Sequence, residues 1–197
     1  MEFNPFKHKI SELNSLEAIP GNALLAEPFL IDPYFKRSVI LMVENNEAGA
    51  IGFVLNNPLE IKVHDLVSDF PATDFDVFVG GPVESKSLFY IHNKPDLLPG
   101  CQKITEELYW NGDFEILKAA IRFKHIKKND IKFFLGYSGW GKEQLINELK
   151  ADSWFISKIS TNQVFDIDYG NLWYKIMSAS KREIAIMANF PEDPSLN

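Results

Sequence analysis

The stretch FFLGYSGWGKEQL, Phe133 to Leu145, holds residue types from which a catalytic turn or a phosphate cradle could be built. A serine nucleophile on a strained strand-to-helix turn needs glycine two positions before it and two after. Gly136 meets the first condition for Ser138, but Trp140 stands at the second, so Ser138 is not expected to be a nucleophile. A P-loop needs Gly-x-x-x-x-Gly-Lys followed by a hydroxyl. Gly136, Gly141 and Lys142 match that spacing, yet Glu143 comes next, and its carboxylate would repel a γ-phosphate. A general anion site survives at a helix N-terminus, on backbone N–H groups near Gly139–Gly141. The reading that demands least is structural. Glycines reach backbone angles closed to other residues, and Tyr137 and Trp140 can pack across a corner between a strand ending at Leu135 and a helix bearing Leu145 and Leu149.

Other stretches offer less. Gly80-Gly81-Pro82 follows a strand, but no helix pattern comes after it, so a strand-to-strand turn is expected. Asn56-Asn57-Pro58 reads as a turn whose asparagine can cap a following helix. His8, His64, His92 and His125 show no His-x-His or His-x-x-x-His pairing, which leaves no metal set to assign. His64 and Asp65 are neighbours on an expected helix and point apart. Asp166 and Asp168 would share a face if extended, a common spacing on exposed strands. No catalytic, cofactor-binding or metal-binding residues are assigned, and the chain is read as leaning away from an enzyme.

The elements that must position these residues alternate irregularly. Phe6, Ile10, Leu13 and Leu16 give helical spacing over 1–18, closed by Pro20-Gly21. Strands are expected at 22–26, 38–43 and 50–55, the last two joined by a polar hairpin loop over 44–49. Pro58 is expected to open a helix carrying Val63, Leu66, Val67 and Phe70. Strands follow at 75–79, 87–91 and 107–110. Asp113 is placed to cap a helix running to about Lys127, with Phe114, Leu117, Ala120 and Ile121 on its apolar face. Further strands are expected at 131–135 and 154–156, a helix at 171–177, and a loose tail from Pro191. Hairpins interrupt any steady βαβ rhythm. The expected class is therefore α/β in the mixed α+β sense, with two associated mixed β-sheets and outer helices, as one domain over 1–197.

Composition bounds the partners. The 197 residues are 46% hydrophobic, with 16 phenylalanines, enough for a sizeable core. The lone Cys101 excludes an intrachain disulfide framework. The N-terminus carries no apolar signal core, and no run approaches the ~18 apolar residues of a membrane span, so a cytoplasmic protein without membrane contact is expected. A net charge of −7 makes the chain a poor candidate for non-specific nucleic-acid binding. Against that, Lys118, Arg122, Lys124, Lys127, Lys128 and Lys132 cluster around a single acid, Asp130. Lys124, Lys127 and Lys128 are the candidate nucleic-acid contacts, and the competing reading is a solvated helix face with its exit loop.

Three ordered segments, GNALLAEPFLIDPYFKRSVILMVENNEAGAIGFVLNNP, VFVGGPV and FFLGYSGWGKEQLINELKADSWF, together resemble the AlgH/YqgE family of bacterial proteins over about residues 21–155. The resemblance implies a compact α/β protein of unassigned biochemical function, with one branch described as a transcriptional regulator. It also marks two departures. Asn57 stands where the family usually has a basic residue, and Glu143 and Ile146 stand where it has glycine and an acid. The candidate ligand or partner surface is Asn56, Gly80, Gly81, Tyr137, Trp140 and Gln144. The leading expectation is a non-enzymatic protein that binds another protein or a small ligand. The alternatives are a regulator using Lys118–Lys132 and an enzyme whose site is assembled from these loops.

Overall fold

A computed structural model of the chain describes residues 9–191. In chain order the strands are β1 (Asn22–Ala26), β2 (Val39–Asn46), β3 (Gly49–Val54), β4 (Pro58–Lys62), β5 (Asp76–Val79), β6 (Val83–His92), β7 (Gln102–Lys103), β8 (Tyr109–Trp110), β9 (Ile131–Gly141) and β10 (Trp154–Lys158). The helices are α1 (Ile10–Leu13), α2 (Val63–Leu66), α3 (Phe114–Arg122), α4 (Gln144–Lys150), α5 (Thr161–Val164), α6 (Leu172–Ser178) and α7 (Arg182–Met187).

Two sheets share one long strand. The first runs β10-β1-β2-β3-β9, and the second places β5 and β6 on either side of β9, with β4 beyond β5 and β8-β7 beyond β6. β5 runs parallel to β9, while the other pairs are antiparallel, which makes the system mixed. The mixed class with associated sheets and outer helices is thus what the chain forms.

The sequence periodicity explains most of this. Val39–Val43 and Phe53–Leu55 are buried without interruption because both faces of the first sheet are covered. On one face lies a cluster that includes Leu25, Leu41, Phe53, Phe134 and Phe155, with Trp173, Ile176 and Met187 packed over it. On the other face, Leu24, Ile40, Met42 and Val54 pack with Trp140, Leu145 and Trp154. A third cluster joins α3 to Phe70, Phe75, Tyr90 and Phe133 of the second sheet. Asp113 caps α3 as expected, its carboxylate accepting the Ile116 N–H at 3.0 Å.

Several elements differ from the sequence reading. Pro58 opens β4 rather than a helix, and only Val63–Leu66 is helical. The alternation of Leu59 and Ile61 against β5 outweighs the helical spacing of Val63, Leu66, Val67 and Phe70. α3 ends at Arg122, short of Lys127, because Lys124 takes a left-handed φ of 60° and turns the chain back. At the N-terminus the helix is confined to Ile10–Leu13 among the described residues; Phe6 and His8 lie outside them, as does the tail beyond Pro191. The largest difference concerns the glycine-rich stretch. The strand does not stop at Leu135 but continues through Gly141, so the expected corner lies inside β9.

His92 is fully buried on β6, its Nε2 2.9 Å from the Asn111 carbonyl and its Nδ1 accepting the Lys94 N–H at 3.1 Å. Burial holds its pKa below the ordinary value of 6.5, against an opposing pull from the Asn111 contact. The native state therefore prefers neutral imidazole. Its stabilising contribution is fully present above pH 6.5 and declines as pH falls towards the lower native value. Thermal melts at pH 7.5 and 5.5 should show a lower midpoint at pH 5.5. A His92→Gln variant should lose most of that difference. An unchanged difference would assign it to other groups.

Candidate functional site

The six candidate residues do not meet in one concave site. Three of them, Gly80, Gly81 and Tyr137, lie where the two sheets join. At Gly136, where φ is 67°, β9 changes partners: Phe133–Leu135 pair with β5, and Ser138–Gly141 pair with β3. Gly80 lies at that change. Its N–H donates to the Leu135 carbonyl at 2.9 Å, and its own carbonyl accepts the Val54 N–H at 3.0 Å. The same carbonyl accepts the Ser138 hydroxyl at 3.0 Å. Ser138 is fully buried there, so its Oγ ties β9 to the β5 exit and is withdrawn from any substrate. Gly81 sits so close that an added Cβ would lie 2.3 Å from the Tyr137 carbonyl carbon. Tyr137 is half-buried and meets Phe89 edge-on at 5.7 Å.

Asn56 lies elsewhere. Its Oδ1 accepts the Val39 N–H at 2.8 Å and its Nδ2 donates to the Arg37 carbonyl at 3.0 Å. That clamp fixes the end of β3 to the start of β2. It replaces the expected helix cap, because a strand follows Pro58.

Trp140 and Gln144 belong to a polar network organised by a residue the sequence reading passed over. Glu148 Oε2 accepts both indole N–H groups, from Trp140 and from Trp154, at 2.8 Å each. Its Oε1 accepts the Gln144 amide at 2.9 Å, and Gln144 Oε1 in turn accepts the Gly141 N–H at 3.0 Å. The two indoles meet edge-on at 6.2 Å. Glu148 follows Gln144 by four residues on α4, a same-face spacing that could have pointed to it. The turn into α4 falls at Glu143, which adopts a left-handed φ of 65°. Glu143 is exposed and its side chain caps no α4 N–H, and the expected anion site has no long helix behind it.

Around this framework lie two hollows. The larger is a cleft of about 740 Å³ between α4, the segment Ser11–Ala18 and the tip of the β2–β3 hairpin. Leu16, Ala18, Ala50, Leu145, Leu149 and Ile156 make it mainly apolar, and Lys142, Lys150, Glu17, Glu47 and Glu143 stand around it. The segment over it is anchored: Asn14 donates to the Trp154 carbonyl at 3.0 Å and accepts the Ile156 N–H at 2.8 Å, as a neighbouring strand would. Asn45 Nδ2 also holds the Ala18 carbonyl at 2.7 Å. A shallower hollow on the other side of the hairpin is where Tyr137 and Trp140 reach a surface, and Asn46, Gly49 and Ala50 border both.

The basic segment is not a stripe. Lys118 is buried and pairs with Asp69 and Glu115. Lys128 lies 2.9 Å from Asp76 and 3.1 Å from Asp74, which also hold Lys62. These cations hold the Asp74 carboxyl down to about 2. Lys132 is buried within the protein. Of the three candidate contacts, Lys124 and Lys127 are exposed and, among the described residues, form no ion pair. Asp166 and Asp168, which would share a face if extended, lie outside any strand and share Lys175 at 2.9 and 3.0 Å.

Comparison with known proteins places the chain among bacterial proteins. The model of a family described as AlgH-like matches residues 23–185. A UPF0301 protein of Chlorobaculum tepidum is 40% identical over 178 residues, covering 90% of this chain and 95% of that protein. One from Parabacteroides distasonis is 39% identical over 186 residues, 93% of this chain and 94% of the relative. Among solved structures, protein DIP2367 of Corynebacterium diphtheriae superimposes with a TM-score of 0.77 at 19% identity, covering 94% of this chain and all of that one. The AlgH protein of Pseudomonas aeruginosa gives 0.69 at 23%, covering 97% and 98%. At those identities the two structures speak for the fold alone.

Proposed function

This chain belongs to the AlgH-like family, and from that premise we propose that it is a non-enzymatic binding protein whose ligand lies along α4 in the apolar cleft. The observation that carries the reading is the cleft itself. Its 740 Å³ falls within the roughly 300–1,000 Å³ of small-molecule sites, which are mostly apolar with a few polar groups at the rim. α4 is only seven residues, about 10 Å long, so the site suits a compact molecule better than an extended partner helix. At the rim, Lys142 and Lys150 near the ends of α4 offer an anionic group of such a molecule its cationic partners, between the carboxylates Glu17, Glu47 and Glu143. Gly80, Gly81, Trp140 and Gln144 then act as framework: the two glycines, with Ser138, join the sheets that carry the cleft, and Trp140 and Gln144, with Glu148, fix α4 as its wall. A cytoplasmic location is part of the proposal and is supported by the lone cysteine. Among the described residues, no helix is long and apolar enough to cross a membrane. Nucleic-acid contact through Lys124, Lys127 and Lys128 has less support, because Asp74 and Asp76 take up Lys128.

The probe is 1-anilinonaphthalene-8-sulfonate, an apolar body with one anionic group. Its fluorescence should rise on addition to the folded protein. Ile146 lines the cleft and is 52% exposed, so Ile146→Glu should weaken binding about tenfold, the ~1.4 kcal/mol of one misplaced charge, with little change in stability. Equal binding by wild type and variant, or none by wild type, would refute the assignment.

A further inference from the structure

At the other end of β9 from that cleft, the strand buries an amine. Lys132 is 5% exposed, and its Nζ donates to the Val164 carbonyl at 3.3 Å. The Nζ lies 4.2 Å from the Phe78 ring centre and 5.6 Å from that of Tyr169, and these two rings meet edge-on at 5.0 Å. A narrow hollow of about 30 Å³ opens beside them, bordered also by Asp76, Lys128, Asp166 and Ile167. The two acids are already committed, Asp76 to Lys62 and Lys128, and Asp166 to Lys175. Among the described residues none lies within ion-pair distance of the Lys132 amine.

An ammonium here would offer three N–H donors to one acceptor. The ring faces would attract it. Burying a charge with no carboxylate partner costs more than such contacts return, so the neutral amine is preferred. Burial accordingly pushes the Lys132 pKa down to about 7, against the weaker opposing pull of Asp166 and Asp76.

We propose that Lys132 is a reactive amine that forms an imine with a small aldehyde entering the hollow between Phe78, Tyr169 and Asp166. The nitrogen lone pair forms a C–N bond to the carbonyl carbon, and one amine proton passes to the carbonyl oxygen to give a carbinolamine. The hydroxyl takes a second proton from solvent, the C–O bond breaks and the oxygen leaves as water, and the nitrogen returns its remaining proton to solvent. No oxidant or reductant takes part. The hollow has room for about two water-sized groups, which limits the aldehyde to one or two carbons. This site is independent of the α4 cleft, and neither claim depends on the other.

The test uses the full chain with limiting acetaldehyde, and cyanoborohydride to trap any imine as the ethylamine. Modified lysines are assigned by peptide mass mapping, with Lys132→Met confirming the peptide. At pH 7 roughly half of an amine with a pKa near 7 is neutral, against about one part in 2,500 for an ordinary lysine. Even after hindrance by burial, Lys132 should be ethylated at least about tenfold faster than Lys124 or Lys127. Its rate should level off above pH 8, while theirs keep rising to pH 9 and beyond. The proposal is overturned if Lys132 stays unmodified while Lys124 reacts, or if the two share one pH profile.

Discussion

Replacing Trp140 with alanine should lower the free energy of unfolding by about 3–5 kcal/mol, the cost typical of deleting a buried tryptophan and leaving a cavity. The side chain is 5% exposed and packs in the cluster beneath the α4 cleft. Its loss also takes one donor from Glu148, which keeps Trp154 and Gln144. Trp140→Phe should therefore lose much less, since most of the apolar volume stays. A urea melt followed by circular dichroism separates the variants without relying on indole fluorescence. A shift within roughly ±0.5 kcal/mol for Trp140→Ala would mean that the ring is a surface recognition residue after all.

Gly80→Ala should be more damaging still, above about 4 kcal/mol, where single substitutions become exceptional. An added Cβ would lie 2.3 Å from the Gly136 carbonyl oxygen and 2.9 Å from the Phe53 ring. The first obstacle is backbone and cannot swing aside. Relief would require moving β9 away from the β5 exit, breaking the Leu135 and Val54 hydrogen bonds and stranding the Ser138 hydroxyl. Poor soluble yield, or a midpoint far below that of wild type, is expected. A variant that melts like wild type would show that the two sheets are not joined at Gly80.

Much of the fold is legible in the sequence because burial writes a period into it. Val39–Val43 and the α3 stripe of Leu117, Ala120 and Ile121 report their own elements. The glycine-rich stretch misleads for a physical reason. Gly136, Ser138 and Gly139 look like breakers, yet here Gly136 is demanded by the close approach of the Gly81 and Val83 carbonyls within a strand that passes from one sheet to the other. Nothing local distinguishes that from a corner; the distinction lies in β3 and β5, more than fifty residues away. The same limit hid the roles of the site residues. Asn56 is a clamp because Val39 and Arg37 come back to it, and Glu148 is an anchor because two tryptophans converge on it. Lys132 reads as one more cation in a basic run until Phe78, Val164 and Tyr169 close around it. The cleft is beyond sequence reasoning altogether, since its walls come from Ser11–Ala18, the β2–β3 tip and α4.

Whether the α4 cleft is the binding site is decided by where the bound probe sits. Backbone amide NMR shifts of the 15N-labelled chain, followed through a titration with 1-anilinonaphthalene-8-sulfonate, give the location residue by residue. Saturable shifts confined to residues 11–18, 45–50, 141–150 and 156 are expected. Shifts centred on residues 118–132, or spread over the protein without saturation, would contradict it.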